Sequence, residues 1–508
     1  MTHSSFHKII FRNSIANTLR YFVNYAIIFV LTPIIITKIG DAQYGLWALM
    51  FSLIGYAGFL DLGVQQATIK LVAEYKGKDD VDRLNSIIST TLLYFLCIGV
   101  FVALLCWFVL PYVMHLFVED IMLLSLSVNL LYIFGIDVIF CFLVNVFTGV
   151  ALGLHQYHFK SIVDIFCGVG RFFSTIYVLN AGYGLLGLAW INLALNIIAT
   201  ILLYISCVFI NFKISISLKN VTLVSLKEIF SFGSKIFLAT TSTRINSHTT
   251  IILVSYFLTT TMTAYYNVAN RLIGSAQEVL WSLTASLFPV FSELSSKNSK
   301  NEVLDYYLQY TRYFLLLTIP VALGLIFFGT PFISLWISDE YAQGTRIVLV
   351  LLSFGVLIAA FQPLSTRVLI GSGNVTYVTK ITVAKNIGAL IFSIPLIMTF
   401  GLAGPPLAML VAEFIYQLFL FLYILKFFEM KLSYCMRLCY VPIVLPMISS
   451  VIFFKIMSYL LSSERIAFAF IVFNVYLFVY LFLSMRYSLN SKERCVIFSF
   501  LKLHFFRN

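Results

Sequence analysis

Charge is the scarcest commodity in this chain. Asp, Glu, Lys and Arg make up 11% of its 508 residues, against about 25% in soluble domains. Hydrophobic residues reach 61%, and a soluble fold of this length has too little interior to hide them. The solvent is therefore lipid. Other absences narrow the chemistry. No Gly-x-x-x-x-Gly-Lys-Ser/Thr loop is present, and Gly371-Ser372-Gly373-Asn374 lacks the lysine, so nucleotide hydrolysis is not expected. No nucleophile elbow or zinc helix is found, and no loop is long enough for a soluble domain. Cys97, Cys106, Cys141, Cys167 and Cys207 lie in apolar runs, and Cys435 and Cys439 lack zinc-site spacing. No disulfide, metal or catalytic residue is assigned. No small-residue cleavage site follows a short apolar core near Met1–Lys8, so the first span is expected to stay as a signal anchor.

What the chain has is apolar length. Continuous runs without strict alternation exclude a barrel and leave helices. Fourteen candidate spans lie near 14–37, 44–68, 86–110, 121–150, 159–180, 184–210, 230–257, 263–290, 308–328, 343–370, 377–399, 403–426, 437–460 and 466–485. Each approaches the roughly 20 residues needed to cross the hydrocarbon. The largest non-helical pieces are expected near 70–85, 211–228 and 292–306. The net charge of +12 is concentrated in alternate connections. Lys70, Lys76, Lys78 and Arg83 follow span 2, and Lys213, Lys219 and Lys227 follow span 6. His115–Asp120 and Thr259–Met262 carry no Lys or Arg. This is a positive-inside pattern with both termini in the cytoplasm, not a nucleic-acid footprint.

The chain also repeats itself. Gly153, Tyr157, Lys160 and Gly168 recur 220 residues later as Gly373, Tyr377, Lys380 and Gly388. Phe11 precedes Tyr44 by 33 residues, as Phe232 precedes Tyr265. Gly184-Leu185-Leu186-Gly187 returns as Gly401-Leu402-Ala403-Gly404. Six spans per repeat is an even number, so both copies insert the same way up. The fold class expected is an all-α integral membrane protein of about fourteen helices: two six-helix lobes from a parallel repeat, at 1–220 and 221–430, and two added helices with a basic tail at 431–508. One chain supplies both lobes, so a monomer is expected.

Ile39-Gly40-Asp41-Ala42-Gln43-Tyr44-Gly45-Leu46-Trp47 leads into span 2, which ends Phe59-Leu60-Asp61-Leu62-Gly63-Val64-Gln65-Gln66-Ala67. With the Gly-x-x-x-Tyr-x-x-Lys turn and the 6+6+2 layout, this resembles the polysaccharide (O-antigen type) flippases of the multidrug/oligosaccharidyl-lipid/polysaccharide exporter superfamily. The resemblance implies a bacterial inner-membrane protein that moves an undecaprenyl-pyrophosphate-linked oligosaccharide to the outer leaflet. Its implied partners are that lipid-linked substrate, membrane lipids and other polysaccharide assembly proteins. The lipid tail would stay in the bilayer, in a groove near spans 13–14.

Polar residues inside spans are the site candidates, because an intramembrane charge must face the bundle interior or water. Asn13, Asn17, Arg20 and Asn24 share one face of span 1. Ser234, Thr241, Arg244 and His248 do so on span 7, and Asn267, Arg271, Ser275 and Glu278 on span 8. These faces are expected to line a shared cavity, with Arg244, Arg271 and then Arg20 offering planar forks to a diphosphate. Lys385 has no acid near it along its span and is a further cavity cation. Asp164 and Arg171 read equally as a pair on span 5 or as ligand contacts. Glu278, Asp137, Glu413 and Asp61 are candidates for ion coupling or gating, with H⁺ or Na⁺ as the ion and no other cofactor. Glu74 and Glu293 end spans 2 and 8 and read as solvated helix-end charges or as gate partners for loop lysines. The rival readings are a lipid II flippase or a cation-coupled drug antiporter of the same superfamily, and a membrane polysaccharide polymerase. The polymerase would be expected to carry a long outward loop.

Overall fold

The computed structural model describes residues 26–154, 156–210, 215–285, 291, 300–362, 364–461, 475–476 and 478–488. Every regular element among the described residues is helical. Nine described segments are long and apolar enough to cross a membrane, and one of them, Val375–Phe427, holds two successive helices. The protein is a multi-pass membrane protein.

The chain forms two compact units, Met1–Asn267 and Val268–Asn508. The boundary at 220 follows the sequence repeat, whereas this one follows packing and places the helix of span 7 in the first unit. The first unit holds α1 (Ala26–Ile39), α2 (Asp41–Gly55), α3 (Val64–Gly77), α4 (Val81–Phe108), α5 (Leu110–Met114), α6 (Ile121–Gly153), α7 (Tyr157–Asn180), α8 (Gly184–Ile210) and α9 (Leu223–Phe257). The unit boundary falls inside α10 (Thr260–Ala285). The second unit continues with α11 (Lys300–Trp336), α12 (Asp339–Ala360), α13 (Ser365–Gly371), α14 (Val375–Phe400), α15 (Gly404–Phe427), α16 (Leu432–Cys435) and α17 (Val441–Leu461).

Small residues bring helices close in the first unit. A Cβ on Gly99 would meet the Ile139 Cα at 3.1 Å, and one on Gly153 would meet the Val72 Cβ at 2.8 Å. Without a hydrophobic drive between helices in lipid, such close approach supplies much of the packing energy. Phe95 stacks on Phe142 inside this core. In the second unit, Tyr307, Leu315, Leu420, Ile424 and Phe454 belong to one buried cluster.

Three sequence expectations change. The stretch 70–85 is mostly helix, since α3 runs to Gly77 and α4 starts at Val81. Its charged outer face reads as loop, but Leu71 and Val72 are buried. Span 2 is not continuous: α2 gives way to a 3-10 turn at Tyr56–Asp61, then Leu62 and Gly63 turn left-handed before α3 begins. Span 10 breaks after Ala360 and resumes at Ser365. Pro363 in the sequence accounts for this second break, because it lacks a donor and disfavours a helical conformation at Gln362.

Candidate functional site

The break in span 2 lies in the Leu60-Asp61-Leu62-Gly63 motif. Leu62 has φ 48° and Gly63 φ 78°, a conformation that glycine tolerates far better than leucine. The backbone groups freed by the break find partners. The Tyr94 hydroxyl donates to the Leu60 carbonyl at 2.6 Å. Asp61 Oδ1 accepts the Gln65 N–H at 2.9 Å, so it caps the first turn of α3. A Cβ on Gly63 would come within 2.2 Å of the Gly233 carbonyl oxygen of α9. Further along the same crossing, a Cβ on Gly55 would meet the His248 ring at 2.3 Å. His248 packs with Tyr56 and Phe59, and the Tyr56 hydroxyl is hydrogen-bonded to Thr249. The structure thus places Asp61 at a helix start and His248 against the broken span.

A second cluster joins spans 4, 5 and 6. Asp137 of α6 is 4% exposed. Asn192 and Asn196 of α8 each donate an amide N–H to it at 2.7 Å. Arg171 of α7 donates to the Asn192 side-chain oxygen Oδ1 at 3.2 Å, adding a cation one residue removed from the acid. Asp164 accepts from Lys160 at 2.5 Å. Asn192 and Asn196, one helical turn apart, are partners that the sequence reading does not single out.

The second unit has its own cluster. Lys385 of α14 donates to Glu413 of α15 at 3.0 Å and sits 4.5 Å from the Tyr416 ring centre. Gln417 donates to the other Glu413 oxygen at 2.7 Å. This corrects the reading of Lys385 as a cation without an acid: its partner stands on the neighbouring helix. Among the described residues, Arg271 and Glu278 of α10 are exposed and neither is in an ion pair. Asn267 donates to the Tyr44 hydroxyl at 3.5 Å, and Ser275 donates to the Leu272 carbonyl of its own helix. Arg244 belongs to α9, but its side chain lies outside those described. Asn17, Arg20 and Asn24 also lie outside the described residues, as does Glu293.

Arg312 of α11 carries no signal in the sequence reading, yet it is only 5% exposed. Its Nη1 donates to the Leu438 carbonyl at 3.3 Å, inside the π-helical turn Met436–Tyr440. Nearby, Gln362 fills the break of span 10. It accepts from Tyr307 at 2.6 Å and from Ser365 at 2.5 Å, and donates to Tyr440 at 2.6 Å.

At the end of α3, charges meet water. Glu74 accepts from Lys78 at 2.7 Å and lies 3.6 Å from Lys70. The Lys78 contact holds the Glu74 carboxyl below its usual range and the Lys78 ammonium above its own. Tyr75 donates to Glu228 of α9 at 2.7 Å, and that carboxylate pushes the phenol up to about 12. Among the described residues, no group of three His, Cys, Asp or Glu could hold a metal ion.

The family model described as polysaccharide biosynthesis protein matches residues 39–346. An uncharacterized membrane protein of Methanocaldococcus jannaschii, MJ1068, is 25% identical over 391 residues, covering 73% of this chain and 75% of that one. A Shigella dysenteriae protein named "Putative O-antigen transporter" is 25% identical over 203 residues, 40% of this chain and 49% of that relative, so the match spans about half its length. Among solved structures, the lipid II flippase MurJ in an inward closed conformation superposes with a TM-score of 0.70 at 17% identity, over 93% of this chain and 97% of that one. At that identity the likeness speaks for the fold.

Proposed function

The chain belongs to the polysaccharide biosynthesis protein family, and from that premise we propose that it is a flippase which carries an undecaprenyl-pyrophosphate-linked oligosaccharide repeat unit to the outer leaflet by alternating access. The membrane is the bacterial inner membrane, with both termini in the cytoplasm. The substrate class rests on family membership and on the O-antigen relative. The structural observation that carries the reading is Arg271. It is an exposed cation without an ion pair among the described residues, on a helix long enough to cross a membrane. That helix and α9 do not reach the apolarity of the nine lipid-compatible segments. A helix of that length and polarity lines water rather than lipid along part of its circumference. An arginine there presents a planar fork to phosphate oxygens. Arg244, Arg20, Arg171 and His248 are secondary candidates for substrate contact.

Ion coupling, by H⁺ or Na⁺, is assigned to Asp137 ahead of Glu413, Glu278 and Asp61. Glu413 is neutralised by Lys385, and Asp61 caps a helix. Asp137 has only neutral amides as its hydrogen-bond donors among the contacts described.

The test is a deletion strain whose carrier lipids are extracted and located by leaflet. Complete lipid-linked repeat units trapped on the cytoplasmic side support the flippase. Units that reach the outer side unpolymerised point to a polymerase. Accumulated lipid II points to the peptidoglycan branch, and altered sensitivity to cationic drugs without a glycolipid change points to an antiporter. Complementation with Arg271→Ala is expected to restore little export at normal protein level, and full export would remove Arg271 from the site.

A further inference from the structure

A cavity of about 250 Å³ lies wholly within the second unit, where α12 and α15 meet the π turn Met436–Tyr440. Its walls are nearly all apolar and include Phe361, Phe414, Leu418, Phe421 and Met436. Phe361, Phe414, Leu418 and Met436 are between 42% and 57% exposed, and in a membrane protein such apolar exposure faces acyl chains. The cavity therefore opens toward the bilayer.

Three polar side chains line it: Gln362, Gln417 and Tyr440. Gln362 and Tyr440 are bonded to each other, and each has a further protein partner. Gln417 differs. It is 7% exposed, and its carbonyl oxygen Oε1 has no hydrogen-bond partner. An amide flip does not resolve this. The Glu413 carboxylate beside it only accepts, so the NH₂ group must face Glu413, as it does at 2.7 Å. Lys385 occupies the other Glu413 oxygen, which fixes the carboxylate and hence the amide. The carbonyl is left as an acceptor without a donor in an apolar wall, an arrangement that buried polar groups rarely keep.

We propose that this cavity binds a small neutral amphiphile from the bilayer, an alkylphenol or comparable alcohol, whose O–H donates to Gln417 Oε1 while its apolar body lies among the aromatic walls. The size supports this class, since a cavity of about 150 Å³ already takes up benzene. The lining supports it too: one unpartnered acceptor, no lining charge and several rings. Oε1 is itself buried, so binding requires the wall to part as the hydroxyl enters. The proposal does not depend on which glycolipid the protein moves.

The experiment uses the purified full-length chain in detergent. Thermal stabilisation is titrated with 4-propylphenol and with 4-propylanisole, its methyl ether, which keeps the shape and loses the donor. The phenol is expected to act at about tenfold lower concentration than the ether, the ratio that one otherwise unmade hydrogen bond supplies. Gln417→Leu should bring that ratio close to one. Leu418→Trp, a change at the half-exposed mouth that the fold tolerates more readily, should abolish stabilisation by both compounds. Equal action of phenol and ether on the wild type, a ratio that survives Gln417→Leu, or stabilisation that survives Leu418→Trp would each overturn the proposal.

Discussion

The two units hold charge within their membrane-spanning helices in opposite ways. In the first, the Asp137 carboxyl is held by neutral donors, Asn192 and Asn196, and Arg171 donates to the side-chain oxygen of Asn192. In the second, Lys385 and Glu413 neutralise each other directly, and Arg312 rests against a backbone carbonyl. Among the described residues, Asp137 and Arg312 are the only Asp, Glu, Lys or Arg that are buried, and they differ in sign. A direct ion pair locks both partners, because removing either strands the other in a medium that solvates it poorly. An acid held by amides has no such lock. Its donors are neutral amides, and the side-chain oxygen of Asn192 already accepts from Arg171. The contrast separates a cluster that fastens two helices by a direct ion pair from one whose acid is held by neutral amides, which is why the proposed ion coupling is placed on Asp137.

The largest test of that contrast is Lys385→Met. It leaves Glu413 with only the neutral Gln417 amide as a donor, and unfolding of the purified protein should become easier by about 2–3 kcal/mol, since the pair is largely but not wholly buried. The double variant Lys385→Met with Glu413→Gln should recover most of the loss. A single variant as stable as the wild type would mean that the pair is wet and fastens nothing. Arg312→Met comes next, at about 2 kcal/mol, since it removes the donor that serves the Leu438 carbonyl in the π turn. Asp137→Asn should cost less, about 1 kcal/mol, because a rotated amide can still meet one of the two asparagines. Its transport should nonetheless fall far more than its stability. Equal, small losses in both would place Asp137 with the fasteners and erase the difference between the units.

How much of this was legible in the sequence follows from the reach of each interaction. Spans 4, 5 and 6 end within a few residues of their expected limits, because an apolar run long enough to cross lipid has few other fates. Asp137 and Glu413 stand out for the same reason, as acids inside such runs. Lys385 reads as isolated because a search along one helix passes over an acid 28 residues away on the next. Arg312 gives no warning at all. It stands near the start of an apolar run, where a cation ordinarily snorkels, and its carbonyl partner lies 126 residues on. The break at Leu62-Gly63 was only partly readable: Asp61 is a helix-capping residue type and Gly63 a turn former, but the apolar residues on both sides hide them.

Outside the spans, a half-exposed contact of the first unit gives a smaller effect to set beside these. Tyr75 donates to Glu228, and the accepting carboxylate raises the phenol from 10.0 to about 12. The unfolded chain releases this proton first, so the stabilisation is complete below about pH 10 and fades as the pH climbs toward about 12. Both side chains reach water, which screens the interaction to about 1 kcal/mol or less. Tyr75→Phe should therefore lower the melting temperature slightly near neutral pH, and the gap from the wild type should close across that alkaline window. A gap that stays constant would assign the effect to ring packing instead of the hydrogen bond. A gap as large as that of Lys385→Met would show that burial is not what separates the fastening contacts from the rest.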